Sequence, residues 1–141
     1  MTYTGPVNSD TKKITVPKTV KYGGVSYKVT RIADNALRDN KNVTYVSIGS
    51  NVKTIGSRAF YGCSSLKTLV IGSKVKTIGK KAFYNCKALE KVTFKGSKVR
   101  KVGEKAMKGI GSGAVIKIPD KLLMLYPKFE KNLRKGKKIK I

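Results

Sequence analysis

Histidine and tryptophan are absent from this chain of 141 residues, and cysteine occurs only twice. Without histidine the commonest general base is missing, and so are the nucleophile–histidine triads built on it. Two cysteines with no histidine cannot complete a tetrahedral zinc site. No Gly-rich phosphate loop and no serine-nucleophile motif is present. The sequence therefore predicts no catalytic residues, no metal, no cofactor and no small-molecule substrate. Long apolar runs are also missing. Nothing approaches the ~18–20 residues of a membrane span, so no membrane insertion is expected. Residues Met1 to Asp10 have neither a basic n-region nor an apolar h-region and do not read as a signal peptide.

Negative charge is scarce. There are 7 acidic residues against 32 basic ones, a net charge of +25. Lysine carries most of it, since the arginines are Arg31, Arg38, Arg58, Arg100 and Arg134. Such a field speaks to solubility and partners, not to fold, and it favours polyanions. Four of the acids, Asp34, Asp39, Glu90 and Glu104, are scattered by repeat and form no convincing pair.

What the chain has in abundance is self-similarity, the signature of a stacked-repeat protein. Ile32, Ile55, Ile78 and Val102 form one column, and Ala36, Ala59, Ala82 and Ala106 follow each of them by four residues. Leu37, Phe60, Phe83 and Met107 come next. Val46, Leu69, Val92 and Ile116 make a further column, and Ile48, Ile71, Phe94 and Ile118 another. The spacings are 23, 23 and 24, with the extra residue near Lys95–Lys98. One unit reads Leu66-x-x-Leu69-x-Ile71 as a short alternating strand. Ile78-Gly79 then turns the chain, and Ala82-Phe83 forms a helical turn or short helix opposite the strand. A single unit cannot bury its apolar side alone. Stacked units bury a continuous core and form a parallel sheet.

The first coil shares this register. Ile14-x-Val16-x-x-x-Val20 matches Val46-x-Ile48-x-x-x-Val52, after which nine extra residues separate Val20 from Val29. Within them Gly23-Gly24 lies between short apolar runs and predicts a projecting hairpin. At the other end Pro119-Asp120 opens a helical stretch with Leu122, Tyr126, Phe129 and Leu133 on one side. Pro127 interrupts or kinks it, and Gly136 stops it. Ile139 and Ile141 then add a sixth parallel strand by a right-handed crossover. The expected fold is α/β, a single domain over 1–141: an N-terminal coil with hairpin (1–31), repeats of about 23 residues (32–118) and a C-terminal helix and strand cap (119–141).

These columns resemble the BspA-like, or Treponema-type, leucine-rich repeats. The segment from Cys63 to Cys86 matches that unit at Leu66, Leu69, Ile71, Val75, Ile78, Gly79, Ala82, Phe83 and Cys86. Gly72 stands where the family places proline, whereas Pro17 and Pro119 occupy that position in the outer coils. The resemblance implies a right-handed solenoid with one parallel sheet. It also implies a non-catalytic protein of the bacterial surface or a secreted protein, used for adhesion or protein binding.

Candidate binding residues follow from the alternation. Side chains between the core columns face solvent on the concave side, in one row of Lys13, Tyr45, Thr68, Lys91, Val115 and Lys138. The second row is Thr15, Ser47, Val70, Thr93, Lys117 and Lys140. The face offered to a protein partner is Tyr45, Ser47, Thr68, Val70, Lys91, Thr93 and Lys117. It has no aromatic cluster. The densest basic patch is Lys131, Arg134, Lys135, Lys137, Lys138 and Lys140. A second set recurs at repeat-equivalent places: Lys74, Lys76, Lys80, Lys81, Lys98, Arg100, Lys101 and Lys105. Each set reads either as a polyanion contact or as a solvated surface. The alternative function is thus electrostatic binding of nucleic acid or a cell-wall polymer. Sequence-specific nucleic-acid recognition is disfavoured by the lysine bias and the lack of stacking aromatics. Cys63 and Cys86, one repeat apart, come within about 5 Å at Cα by strand spacing. A disulfide is therefore within reach, but the column Asn40, Cys63, Cys86 is a small buried position, which favours free thiols. Asn42-Val43-Thr44 matches a glycosylation sequon in which Val43 is a core residue.

Overall fold

The structure, a computed structural model, describes residues 1–125, Pro127 and residues 138–140. Its strands begin with β1 (Thr2–Tyr3), β2 (Lys13–Val16), β3 (Thr19–Tyr22), β4 (Val25–Lys28) and β5 (Arg31–Ile32). The repeats supply β6 (Tyr45–Ile48), β7 (Thr54–Ile55), β8 (Thr68–Ile71), β9 (Thr77–Ile78), β10 (Lys91–Phe94) and β11 (Lys101–Val102). β12 (Val115–Lys117) and β13 (Lys138–Lys140) complete the order.

Each of the first four coils contributes a four-residue strand (β2, β6, β8, β10) to one parallel sheet and a two-residue strand (β5, β7, β9, β11) to another, and β12 and β13 extend the first with three residues each. The larger sheet has the order β13-β12-β10-β8-β6-β2, and the smaller has the order β1-β5-β7-β9-β11. The sequence predicts one parallel sheet and the structure has two. The second arises because Ile32, Ile55 and Ile78 each pair with their counterpart on the next coil and so extend the turn into a short ladder. Register in the larger sheet follows the columns: Leu69 pairs with Val46 on one side and with Val92 on the other. Inward residues of the central strands of both sheets, and the apolar residues of the turns between them, are buried. Ile32, Ile55, Phe60, Leu66, Leu69, Ile78, Phe83, Leu89 and Val92 are all 0% exposed. Each such aliphatic or aromatic side chain contributes about 1.5–3 kcal/mol.

Of the expected helical turn or short helix, the Ala-Phe segment forms only hydrogen-bonded turns and no continuous helix. Its backbone donors alternate: every second one bonds back within its own coil, as Tyr61 N does to Arg58 O at 3.1 Å and Tyr84 N to Lys81 O at 3.2 Å, and the others reach the next coil. Leu37 N donates to Ala59 O at 2.7 Å, Phe60 N to Ala82 O at 2.8 Å and Phe83 N to Ala106 O at 2.7 Å. Left-handed residues force this course. Asn35, Arg58, Lys81 and Lys105 have φ of 54–58°, and four residues later Asp39, Gly62, Asn85 and Gly109 have φ of 57–80°. Inside the curve Phe60 and Phe83 stack, with ring centroids 5.1 Å apart. Among the described residues a 3-10 helix spans Asp120–Leu125, and Pro127 is α-helical. The described coils thus form a parallel β-solenoid with almost no helix, and the helical part of the expected α/β class is not borne out among them. The rest of the expected C-terminal helix, including Tyr126, Phe129, Leu133 and Gly136, lies outside the described residues. β13 does pair in parallel with β12, with Ile116 opposite Ile139.

The predicted hairpin is β3–β4, with Val20 opposite Tyr27 and both glycines of the turn at positive φ (56° and 77°). That is the backbone a two-residue hairpin loop requires. β1 was not predicted. It pairs with β5 and places Tyr3 against the core, so the N-terminus covers the open end of the smaller sheet.

Candidate functional site

The outward face of the larger sheet carries the two rows read from the sequence. Lys13 pairs with Tyr45, Tyr45 with Thr68, Thr68 with Lys91, Lys91 with Val115 and Val115 with Lys138. The second row runs Thr15, Ser47, Val70, Thr93, Lys117 and Lys140 by the same pairings. Tyr45, Ser47, Thr68, Val70 and Thr93 are half-buried, while Lys91 and Lys117 are exposed. β-Branched residues suit this half-buried, pleated surface. Of the predicted terminal basic patch, Lys138 and Lys140 lie in β13. Lys131, Arg134, Lys135 and Lys137 lie outside the described residues.

The second basic set divides into two environments. Lys80 pairs with Glu104 at 3.0 Å and Lys105 with the same carboxylate at 3.5 Å, which holds the Glu104 carboxyl below the usual carboxylate range. The Lys81 ammonium lies 5.6 Å from the centre of the Tyr84 ring. Lys74, Lys76, Lys98, Arg100 and Lys101 instead lie at or beside the crossover between the two sheets, and none is in an ion pair among the described residues. Acids described above as unpaired thus find cations. Asp34 pairs with Arg31 at 3.1 Å and Asp39 with Arg38 at 3.3 Å. Such exposed pairs are worth about 0–1 kcal/mol. Asp34 also accepts a hydrogen bond from Ser57 N at 2.9 Å, which ties two coils together.

An aromatic pair escaped the sequence reading. Tyr61 and Tyr84 stack on the turn side of neighbouring coils, with centroids 5.3 Å apart and Arg38 over the Tyr61 ring at 5.3 Å. The signal was available, because the two tyrosines are 23 residues apart and directly follow the Phe60/Phe83 column. Ring faces turned toward one another and toward cations are already occupied, so the pair reinforces the stack.

Cys63 and Cys86 are free and buried. Each Sγ donates to a backbone carbonyl of the preceding coil: Cys63 to Leu37 O at 3.0 Å and Cys86 to Phe60 O at 3.1 Å. Burial pushes the Cys63 thiol up to about 12 and raises the Cys86 thiol well above its ordinary value. Thiols of this kind are structural and unreactive. At the sequon, Asn42 Nδ2 donates to Ser9 O at 3.2 Å and so fastens the N-terminal loop. Over the smaller sheet runs a shallow groove of about 410 Å³ with Thr54 and Thr77 on its floor. Among the described residues, no helix is long and apolar enough to cross a membrane.

The repeats find counterparts among known proteins. Residues 7–135 match the BspA type leucine rich repeat region in 6 copies. A leucine-rich repeat protein from Bacteroides ovatus has a similar structure, with 28% identity, a TM-score of 0.68, and 80% of this chain and 31% of that one covered. A leucine-rich repeat protein from Bacteroides capillosus shares 29% identity at a TM-score of 0.61, over 65% of this chain and 66% of that one. A leucine rich cell surface protein from Faecalibacterium prausnitzii shares 26% identity at a TM-score of 0.55, over 82% and 40%. The chain therefore spans less than two thirds of the length of each. No curated protein matches it. The six-fold match across most of the sequence, together with coils stacked in its register, makes this chain a member of the BspA-type leucine-rich repeat family.

Proposed function

We propose that the domain is a non-catalytic interaction module of a bacterial surface or secreted protein, and that it binds a protein partner through the outward face of the larger sheet. One observation carries this reading: two side-chain rows continue in register from strand to strand across the five parallel strands β2, β6, β8, β10 and β12. Repeat proteins use such extended, rigid surfaces to bind. Tyr45, Thr68, Val70 and Thr93 occupy its middle, on strands anchored by fully buried neighbours, so little order has to be gained on binding. The cell-surface description of the Faecalibacterium protein supports an exterior location.

The test is binding of the domain to a panel of purified extracellular proteins, with Val70→Glu as the variant. Val70 is central and half-buried on the outward side. A partner bound at 0.15 M salt by the domain, and at least about tenfold more weakly by Val70→Glu, is the expected outcome. Binding indifferent to Val70→Glu and abolished by salt alone would sink the assignment of this face.

A further inference from the structure

The crossover from the larger to the smaller sheet carries a charge pattern unlike the rest of the molecule. In three successive coils it comprises residues 49–55, 72–78 and 95–102. These hold Lys53, then Lys74 and Lys76, then Lys95, Lys98, Arg100 and Lys101, with no aspartate or glutamate among them. All seven cations are exposed. They are also stacked. Lys76 N donates to Lys53 O at 2.8 Å and Arg100 N to Lys76 O at 2.8 Å, so Lys53, Lys76 and Arg100 form one column. Lys74 Nζ reaches the Asn51 side-chain oxygen of the preceding coil at 3.2 Å. Coils repeat at about 4.8 Å, which sets like charges one above another at a spacing where they repel. The neighbouring column shows the contrary arrangement, since Glu104 there neutralises Lys80 and Lys105.

We infer that this edge is a docking track for a linear phosphodiester polymer of the polyol-phosphate kind, laid along the solenoid axis. A single flexible chain of anions relieves the repulsion at every coil and meets progressively more cations toward the C-terminal end. The chemistry of the edge selects among polyanions. Six of the seven cations are lysines, which act as point charges toward phosphate, and there is a single arginine for bidentate contacts. The track exposes no aromatic ring, which removes the platform on which bases of a single-stranded nucleic acid stack and the flat apolar surface on which sugar rings rest. Ser50, Ser73 and Ser97 add hydroxyl donors at equivalent positions in the three coils. The adjacent groove over the smaller sheet carries both signs, Arg31, Lys80 and Lys101 with Asp34 and Glu104, and Lys101 belongs to the groove and the track alike.

The experiment uses the whole chain and a synthetic glycerol-phosphate oligomer, with a sulfated polysaccharide and an oligonucleotide matched in charge number. The track variant is Lys74→Gln, Lys98→Gln, Arg100→Gln and Lys101→Gln. A control with the same loss of charge on the opposite edge is Lys12→Gln, Lys41→Gln, Lys67→Gln and Lys87→Gln, all exposed positions. A version of the track variant with arginine at its lysine positions and Arg100 retained keeps the charges. Thermal melting confirms that each folds. The track variant is expected to bind the glycerol-phosphate oligomer roughly a hundredfold more weakly at 0.1 M salt, with the slope of log K against log salt reduced by about 2–3. The control is expected to change binding less than about threefold and the arginine version to retain it. Equal losses in track and control variants would show that net charge alone governs binding and would overturn the proposal. So would tighter track-dependent binding of the oligonucleotide or the sulfated polysaccharide. None of these outcomes bears on the outward face of the larger sheet, where Val70→Glu is read separately.

Discussion

Two regions with similar strand sequences behave as opposites. In β8 and β9 the inward residues Leu69, Ile71 and Ile78 are 0% exposed, because coils above and below share their burial. In the β3–β4 hairpin Tyr22 is 77% exposed, Val25 52% and Tyr27 42%, although the alternation of apolar and polar residues is just as regular. Alternation alone therefore does not bury a strand here. Recurrence of the same column one coil away does, and the hairpin has no recurrence. Beyond Val20, which packs against the core at its base, its order comes from its own ladder and from the two glycines of its turn.

One charge placed in each region tests this most severely. Ile78→Asp buries a carboxylate with no partner in the middle of the stack, and removing a buried group's compensation costs several kcal/mol. Loss of the cooperative thermal transition by circular dichroism is expected. Tyr27→Asp, at a position 42% exposed, should leave the transition within about 0.5 kcal/mol. Comparable effects from the two variants would mean that the hairpin belongs to the core.

Glycines extend the comparison at smaller scale. A Cβ on Gly79 meets Gly56 C and Ser57 N at 2.6 Å, backbone atoms of the coil below, so Gly79→Ala forces the coils apart. The expected loss is about 1–3 kcal/mol. A Cβ on Gly24 meets nothing within 4 Å, and its φ of 77° is the sole obstacle. Gly24→Ala should cost about 1 kcal/mol locally and leave the global melting temperature in place. A lower melting temperature for Gly24→Ala than for Gly79→Ala would reverse the assignment of which glycines hold the stack.

How much of this was legible follows from the same distinction. The columns gave the register of the larger sheet, the hairpin and the parallel placement of the last strand, because each is a question of which like residues meet. They did not give the second sheet or the absence of helix at Ala82-Phe83. Those depend on backbone angles at Arg58, Lys81 and Lys105, residue types that carry no left-handed preference. Asp39, Gly62, Asn85 and Gly109 do carry one, and in hindsight they mark the second bend of every coil. The two outward rows were legible as positions, since alternation fixes them. The basic set was not resolved into paired and unpaired members, because Glu104 and the lysines it neutralises are brought together across the stack.

The buried thiols give a smaller effect with a definite pH dependence. Cys63 holds its proton up to about 12 in the folded chain, against about 8.5 when unfolded. A raised thiol pKa stabilises fully below the unfolded value and is lost as pH rises through the folded one. Relative to Cys63→Ala, the native chain should be more stable by on the order of 1 kcal/mol at pH 7. That margin should shrink between about pH 9 and 12 as the unfolded thiol ionises. A margin that grows with pH would contradict a buried, protonated thiol.

The gentlest test lies on the outward side of the most deeply packed strand. Thr68 alternates with Leu69, which is 0% exposed, yet Thr68 itself is half-buried and faces Tyr45 and Lys91 across the sheet. A lysine there keeps its stem on the sheet and its ammonium in water. It adds one like-charge contact with Lys91, worth a few tenths of a kcal/mol and screened by salt. Thr68→Lys should therefore change unfolding free energy by no more than about 0.5 kcal/mol in denaturant titrations, with the difference shrinking as salt is raised. In this respect the outer surface of the central coils resembles the hairpin: a position is tolerant when its side chain projects away from the core, whatever the strand to which it belongs. Strong destabilisation that persists at high salt would show that the two faces of the larger sheet are interchanged.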